Sequence, residues 1–302
     1  MTKQDLSALV AEILKDLGSQ PQVKAGDYKP TVPNPQKPET AYHDGDFVPD
    51  ITALDLRKLY LTEDPANKED FARLKAKTPA RLASGKAGPR YKTLTMLRFR
   101  ADHAAAQDAV FSEVPENFAK ENGLIPVQTE CTSKDEYLTR PDKGRRFDEE
   151  NAAKIRAAIP GTPRVQLVIG DGLSSAAISA NAMDCAQAIR DGLKVRGIEL
   201  GQGIFVKFCR VGAGDAVGDI TGCELVCVLV GERPGLVTDK SMSAYITYKP
   251  HIGVSESSRT VVSNIHAQGT PAVEAGAYVA ELIDMILKKK VSGVGLHTED
   301  KV

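Results

Sequence analysis

A chain of 302 residues, 42% hydrophobic and 26% charged, has the composition of a folded protein with one large or two smaller domains. Its 39 basic and 40 acidic side chains leave a net charge of −1, which removes any general electrostatic reason to expect a nucleic acid partner. No stretch approaches the roughly 20 apolar residues of a membrane span, and the N-terminus lacks the apolar core of a signal peptide, so no membrane partner is expected.

Residues 2–18 read as an amphipathic helix, with Leu6, Leu9, Val10, Ile13, Leu14 and Leu17 on one face. Thr2 is placed to cap its start, with Asp5 three residues on, and Gly18 suits its end. From Gln20 to Pro49 there are six prolines and few large aliphatics, the composition of an extended linker. A helix of about 17 residues is marginal alone in water, so this one must dock, either back on its own chain or in a groove on another protein. The proline-rich tether favours the second arrangement.

From Ile51 to about Val114 the pattern predicts a small helical domain. Leu54, Leu56, Leu59 and Tyr60 supply one stretch, Lys68–Ala76 another, and a longer helix runs from Thr93 to Val110 with Leu94, Leu97 and Ala101 on one face. Between them Gly85 to Arg90 reads as a loop. Arg81, Lys86, Arg90, Lys92, Arg98 and Arg100 form a local basic cluster, either a solvated face or a contact for an acidic subunit surface or a phosphate.

Beyond Gly123, strands are expected at Ile125–Glu130, Val165–Ile169, Ile204–Cys209, Leu225–Val230 and Ala244–Tyr248, with helices near Glu149–Ala158, Ala176–Arg196 and Pro271–Lys290. Strands alternating with helices imply an α/β, Rossmann-like layered domain over 115–302, with a mostly parallel sheet and right-handed crossovers. Thr270 is a plausible cap for the last helix, with Pro271 in its first turn and Lys288–Lys290 at its negative end.

The run Val165–Ile169 breaks into Gly170-Asp-Gly-Leu-Ser-Ser175, which reads as strand, tight turn and helix start. Such a loop lies where open α/β sheets bind ligands, so it predicts an edge for a cofactor, although it does not complete G-x-G-x-x-G. Asp171 is the best lone acid, but Asp in a tight turn more often bonds backbone. His43, His103, His251, His266 and His297 make no H-E-x-x-H, and there is neither G-x-S-x-G nor a P-loop. Cysteines 131, 185, 209, 223 and 227 form no C-x-x-C and read as buried thiols of a reducing compartment. Nothing here amounts to a self-sufficient active site.

Five ordered blocks carry a resemblance: Ala83-Ser-Gly-Lys-Ala-Gly-Pro-Arg90, Leu138-Thr-Arg-Pro-Asp-Lys-Gly-Arg-Arg146, Phe205-Val-Lys-Phe-Cys-Arg-Val211, Val230-Gly-Glu-Arg-Pro-Gly-Leu236 and Ser263-Asn-Ile-His-Ala-Gln-Gly-Thr-Pro271. From about Arg81 to about Gly293 the chain resembles the small subunit of ethanolamine ammonia-lyase. The resemblance implies a carbon–nitrogen lyase, active only with its large subunit, that converts ethanolamine to acetaldehyde and ammonia by adenosylcobalamin-dependent radical chemistry. It places the substrate site in the large subunit and the cobalamin between the two, so no catalytic residue is expected in this chain.

By the same resemblance, three positions contact the cofactor. Val211 follows Cys209-Arg210, Glu232 stands between Gly231 and Arg233, and Val261 occupies a place where the family has a cysteine. Taken without the resemblance, Glu232 reads as a surface carboxylate paired with Arg233, and the valines as strand-end packing. Asn264-Ile-His266-Ala-Gln-Gly269 differs by one residue from the cobalamin-binding D-x-H-x-x-G, but a neutral amide lacks the carboxylate's charge as a partner. The resembled enzyme keeps dimethylbenzimidazole on cobalt, so His266 is not expected to be a metal ligand. The resemblance also makes residues 1–18 a targeting helix, tethered by the linker 19–50, that binds shell or cargo proteins of the ethanolamine-utilising microcompartment in the bacterial cytoplasm. A stand-alone nucleotide-binding α/β enzyme and a noncatalytic cargo-tethering scaffold are the competing readings.

Overall fold

The computed structural model of the chain describes residues 50–78 and 80–298. The helix expected over 2–18 and all but the last residue of the linker 19–50 lie outside the described residues. The first described segment is less helical than its leucines suggest. A single 3-10 turn, Ile51–Ala53, is capped by Asp50, and no helix forms over residues 54–60. Helix α1 (Lys68–Lys75) starts on Asn67, whose side chain accepts from the Asp70 N–H. The organising element is the buried ammonium of Lys75, which donates to the carbonyl oxygens of Leu56 (2.9 Å), Leu59 (2.7 Å) and Leu82. Three carbonyls pulled toward one cation set the path of residues 56–60, which therefore wrap the amine instead of coiling. Burial lowers the Lys75 pKa.

The expected loop 85–90 is a two-stranded hairpin, β1 (Lys86–Ala87) and β2 (Arg90–Tyr91), leading into helix α2 (Thr93–Phe111). Leu94 and Leu97, expected to share one face, are 36% and 47% exposed. The inner face is polar instead. Thr95 donates to the Ser84 carbonyl, while Arg98 and Arg81 both pair with Asp102, at 2.9 and 2.6 Å. Half of the basic cluster is thus consumed internally, since Lys92 also pairs with Glu63 at 2.5 Å.

The rest is a three-layer α/β arrangement. After α3 (Phe118–Glu121) come β3 (Ile125–Gln128), α4 (Lys134–Thr139), α5 (Glu149–Ala158), β4 (Val165–Gly170), α6 (Ser175–Val195) and β5 (Ile204–Lys207). Then follow α7 (Ala213–Thr221), β6 (Leu225–Gly231), β7 (Met242–Tyr248), β8 (Arg259–Ile265), α8 (Ala272–Lys289) and α9 (Gly295–Thr298). The six-stranded sheet has the order β3-β5-β4-β6-β7-β8. The pairs β3/β5, β5/β4 and β4/β6 are parallel, and β6/β7 and β7/β8 antiparallel. The sheet is mixed and mostly parallel, with β4 and β6 buried along their whole length, as central strands covered on both faces require.

Side-chain alternation sorts the core into two layers. Leu167, Ile169, Cys227 and Leu229 face α6 and α8, whereas Val168, Val206, Val226 and Val228 face α5 and α7. All five cysteines are free and buried, as their spacing implied. Strand β5 stops at Lys207, two residues before its expected end, because Phe208 turns left-handed (φ 58°). Strand β8 was not legible: at an edge, with most of its residues partly exposed, it alternates weakly. Helix α8 begins on Pro271 without a side-chain cap, and the Thr270 N–H donates to the Asn264 carbonyl.

Candidate functional site

The glycine turn after β4 packs closely against the protein itself on its Cβ side. A Cβ at Gly170 would meet Cys209 Sγ at 2.5 Å, and one at Gly172 would meet Val230 at 2.6 Å. These glycines admit the close approach of neighbouring strands. The Asp171 carboxylate is buried, accepting from Ser175 Oγ (2.6 Å) and the Val114 N–H (3.3 Å). Burial raises its pKa, outweighing the hydrogen bond from Ser175 and the nearby Lys134. Ser174 caps α6 as expected, accepting from the Ala177 N–H.

Val211 is set by a clamp built from two of the ordered blocks. The Arg210 N–H donates to the Gly144 carbonyl at 2.9 Å, and its guanidinium lies over the Tyr137 ring at 4.3 Å while donating to the Tyr137 carbonyl. Tyr137 in turn donates its hydroxyl to the Cys209 carbonyl at 3.0 Å. Gly144 is required there, since a Cβ would sit 2.7 Å from Arg210 Cγ. The Val211 carbonyl then accepts the Gly214 N–H and starts α7.

Glu232 follows β6 directly, with its N–H on the Ser241 carbonyl at 2.9 Å. Its carboxylate does not pair with Arg233. One oxygen accepts from Ser241 Oγ at 2.6 Å, and the other from Ser243 Oγ and the Asn264 N–H (3.2 Å). The group therefore ties β6, β7 and β8 together at one end of the sheet. A carboxylate offers about four acceptor positions, so about one is left over.

Val261 lies opposite Tyr245, and Tyr245 opposite Val228, so the three point to the same face of the sheet. That is the face covered by α7 over β4 to β6. Val211 and Tyr245 pack against the same apolar layer, but the face is uncovered beyond them, where Val261 is 45% exposed. The result is a shelf formed by β7 and β8, with Val261 on its floor and Glu232 at its end, while Val211, just before α7, packs against the same apolar layer as Tyr245.

A buried ion pair holds the shelf's two sides together. Arg259 on β8 donates to both oxygens of Asp215 on α7, at 2.7 and 2.8 Å, and also reaches Glu256. These partners hold the Arg259 pKa above its usual value, and removing one side of such a pair costs about 3–5 kcal/mol. Sequence reasoning missed Asp215, Tyr245, Tyr137 and the two serines. The sign available was that Arg210 stands inside a motif already singled out and Arg259 two residues before Val261.

His266 is mostly buried in a closed turn. Its Nδ1 accepts the Gln268 N–H at 3.2 Å, which leaves Nε2–H to donate to Asn264 Oδ1 at 2.8 Å. Both ring nitrogens are thus occupied by protein groups. Among the described residues no cluster of three or more His, Cys, Asp or Glu side chains is placed to hold a metal, and no helix is long and apolar enough to cross a membrane.

Comparison with known proteins gives a consistent answer. The sequence model of the ethanolamine ammonia-lyase light chain family matches residues 68–297, well over half of the chain. The chain is 53% identical over 296 residues to an ethanolamine ammonia-lyase small subunit of Clostridium perfringens, covering 98% of this chain and all of that protein. It is 52% identical, with the same coverage, to small subunits from Listeria monocytogenes and Clostridioides difficile.

Proposed function

This chain belongs to the ethanolamine ammonia-lyase small-subunit family, and on that premise we propose that it completes an adenosylcobalamin site whose other half, together with the substrate site, belongs to a large subunit. The observation that carries the reading is the shelf. Glu232 and Val261, far apart in sequence, border one uncovered part of one sheet face, and Val211 packs against the apolar layer that continues from it.

The residues fit the cofactor's chemistry. An apolar floor of Val261 and Tyr245 suits the edge of a large ring. The acceptor position left on Glu232 suits an amide N–H or a ribose hydroxyl, and three internal donors pre-orient its carboxylate. Val261 in place of a thiol keeps an apolar contact of similar size. Both nitrogens of His266 are engaged by protein groups, so this imidazole is not offered to cobalt. Adenosylcobalamin supplies the homolytic cobalt–carbon chemistry that opens the reaction. The protein's part on this side is to bind, to orient and to exclude water, so no residue of this chain is assigned a catalytic step. Ethanolamine is then converted to acetaldehyde and ammonia in the large subunit. Residues 1–18 serve as an address for the microcompartment, separable from this work by the linker.

The test is reconstitution. This chain, a large subunit and adenosylcobalamin together are expected to release ammonia from ethanolamine, and omission of any one abolishes release. Full turnover by the large subunit without this chain refutes the proposal.

A further inference from the structure

Asn264, His266 and Gly269, the three residues of the near match to a cobalt-binding motif, meet in one turn at the Glu232 end of the shelf. Between Val262 and Ile265, strand β8 has one residue more than β7, a bulge that leaves Asn264 in the left-handed region at φ 62°. Few residues other than glycine take that conformation, and asparagine is among those that do so most readily. The bulge takes the Asn264 N–H out of the register with β7, and the N–H donates to the Glu232 carboxylate at 3.2 Å.

The turn that follows holds this donor in place. The Asn264 carbonyl accepts the Thr270 N–H at 3.0 Å, and the His266 N–H donates to the Thr270 carbonyl at 3.1 Å. Gly269 passes so close that a Cβ there would lie 2.7 Å from Asn264 Nδ2 and 2.8 Å from His266 Nε2. Backbone bonds therefore close the turn without the imidazole. What the ring adds is a hold on the Asn264 side chain, from Nε2–H to Oδ1 at 2.8 Å, with the tautomer fixed by the Gln268 N–H on Nδ1. An asparagine held by both its carbonyl and its side chain presents its N–H in one direction.

We infer that His266 is a positioning residue for the cofactor site: by holding Asn264 it fixes the N–H that orients the Glu232 carboxylate toward adenosylcobalamin. This rests on reading Glu232 as a cofactor contact, and adds what sets its geometry. With that donor loosened, Glu232 still braces the sheet through Ser241 and Ser243, but its carboxylate is less ordered before the cofactor arrives. The loss falls on affinity and not on turnover.

The experiment uses this chain assembled with a large subunit, and reads KM for adenosylcobalamin and kcat at saturating cofactor from ammonia release. His266→Ala is expected to raise KM about fivefold, with kcat within about twofold of wild type. His266→Phe fills the space without the hydrogen bond, should do the same, and serves if the alanine variant does not fold. Glu232→Gln raises KM by itself, and adding either His266 variant should raise it no further, because the ring acts through that carboxylate. Asn264→Gly keeps the N–H and the left-handed conformation without the side chain, so in that background too the His266 variants should add nothing. A raised KM in Glu232→Gln with a normal one in both His266 variants overturns the positioning role and leaves the cofactor contact standing. Effects of Glu232→Gln and a His266 variant that multiply overturn it as well, since the ring then acts elsewhere. A normal KM in Glu232→Gln overturns the cofactor contact itself, and the positioning role with it.

Discussion

Replacing Glu232 separates two roles that its position joins. In the folded chain its carboxylate satisfies the hydroxyls of Ser241 and Ser243 and the N–H of Asn264. Glu232→Ala removes all three partners. Ser243 is 1% exposed, so its hydroxyl finds no ready water, at a cost of about 1–3 kcal/mol. Ser241 and Asn264 are more open, and each loses about 0.5–1.5 kcal/mol. The chain alone should therefore lose about 2–6 kcal/mol in urea unfolding. Glu232→Gln keeps one acceptor oxygen and should cost less than half of that. Cofactor affinity reads the second role. In the complex with the large subunit, both variants should bind adenosylcobalamin about 1–3 kcal/mol more weakly, through loss of the fourth acceptor position or of its charge. Unchanged stability of the alanine variant would refute the three-donor geometry. Normal cofactor affinity of a folded Glu232→Gln complex would show that the carboxylate braces the sheet and nothing more.

Val261→Cys, which restores the family's thiol, should leave cofactor affinity within about threefold of wild type, because the contact is one of shape; titration of the complex checks this, and a large gain would reveal a role for sulfur itself. Asp171→Asn reports on pH. The folded chain holds the Asp171 proton more tightly than the unfolded chain does, so this group's stabilising contribution is fullest below 3.8 and is lost as pH rises through the raised value. Wild-type stability minus that of the variant should therefore fall between pH 3.8 and neutrality, and a difference that rises or stays flat in urea titrations contradicts the assignment. Deleting residues 1–18 should leave assembly and turnover nearly intact while abolishing enclosure in microcompartments, and a fluorescent protein fused to those residues should enter the shells; a diffuse fusion in shell-forming cells, or lost turnover, makes the segment part of the fold.

The central layer was readable because its strands are continuous apolar runs bounded by glycines, and β4 and β6 are buried on both faces. Helices α5 to α8, covered on one side, kept a period that places their ends to within a residue, except that α7 was not anticipated. Periodicity failed where a polar group sets the structure. The leucines at 54–59 look helical, but the buried Lys75 amine bends their backbone around itself. Leu94 and Leu97 look like core, but Asp102 with its two arginines takes the inner side of α2. The glycine turn at 170–172 was legible as a turn but not as a site, since a glycine that admits a ligand and one that admits Cys209 leave the same letter. The shelf was not legible at all. It depends on β8 pairing with β7, on Arg259 meeting Asp215 forty-four residues away, and on Glu232 reaching Ser241 just before the next strand and Ser243 within it.

The shared-pocket claim is tested most directly by calorimetric titration of adenosylcobalamin into three samples: this chain alone, the large subunit alone, and the two together. If the shelf is half of the pocket, the complex binds far more tightly than either part. Equal, tight binding by the isolated chain would contradict it.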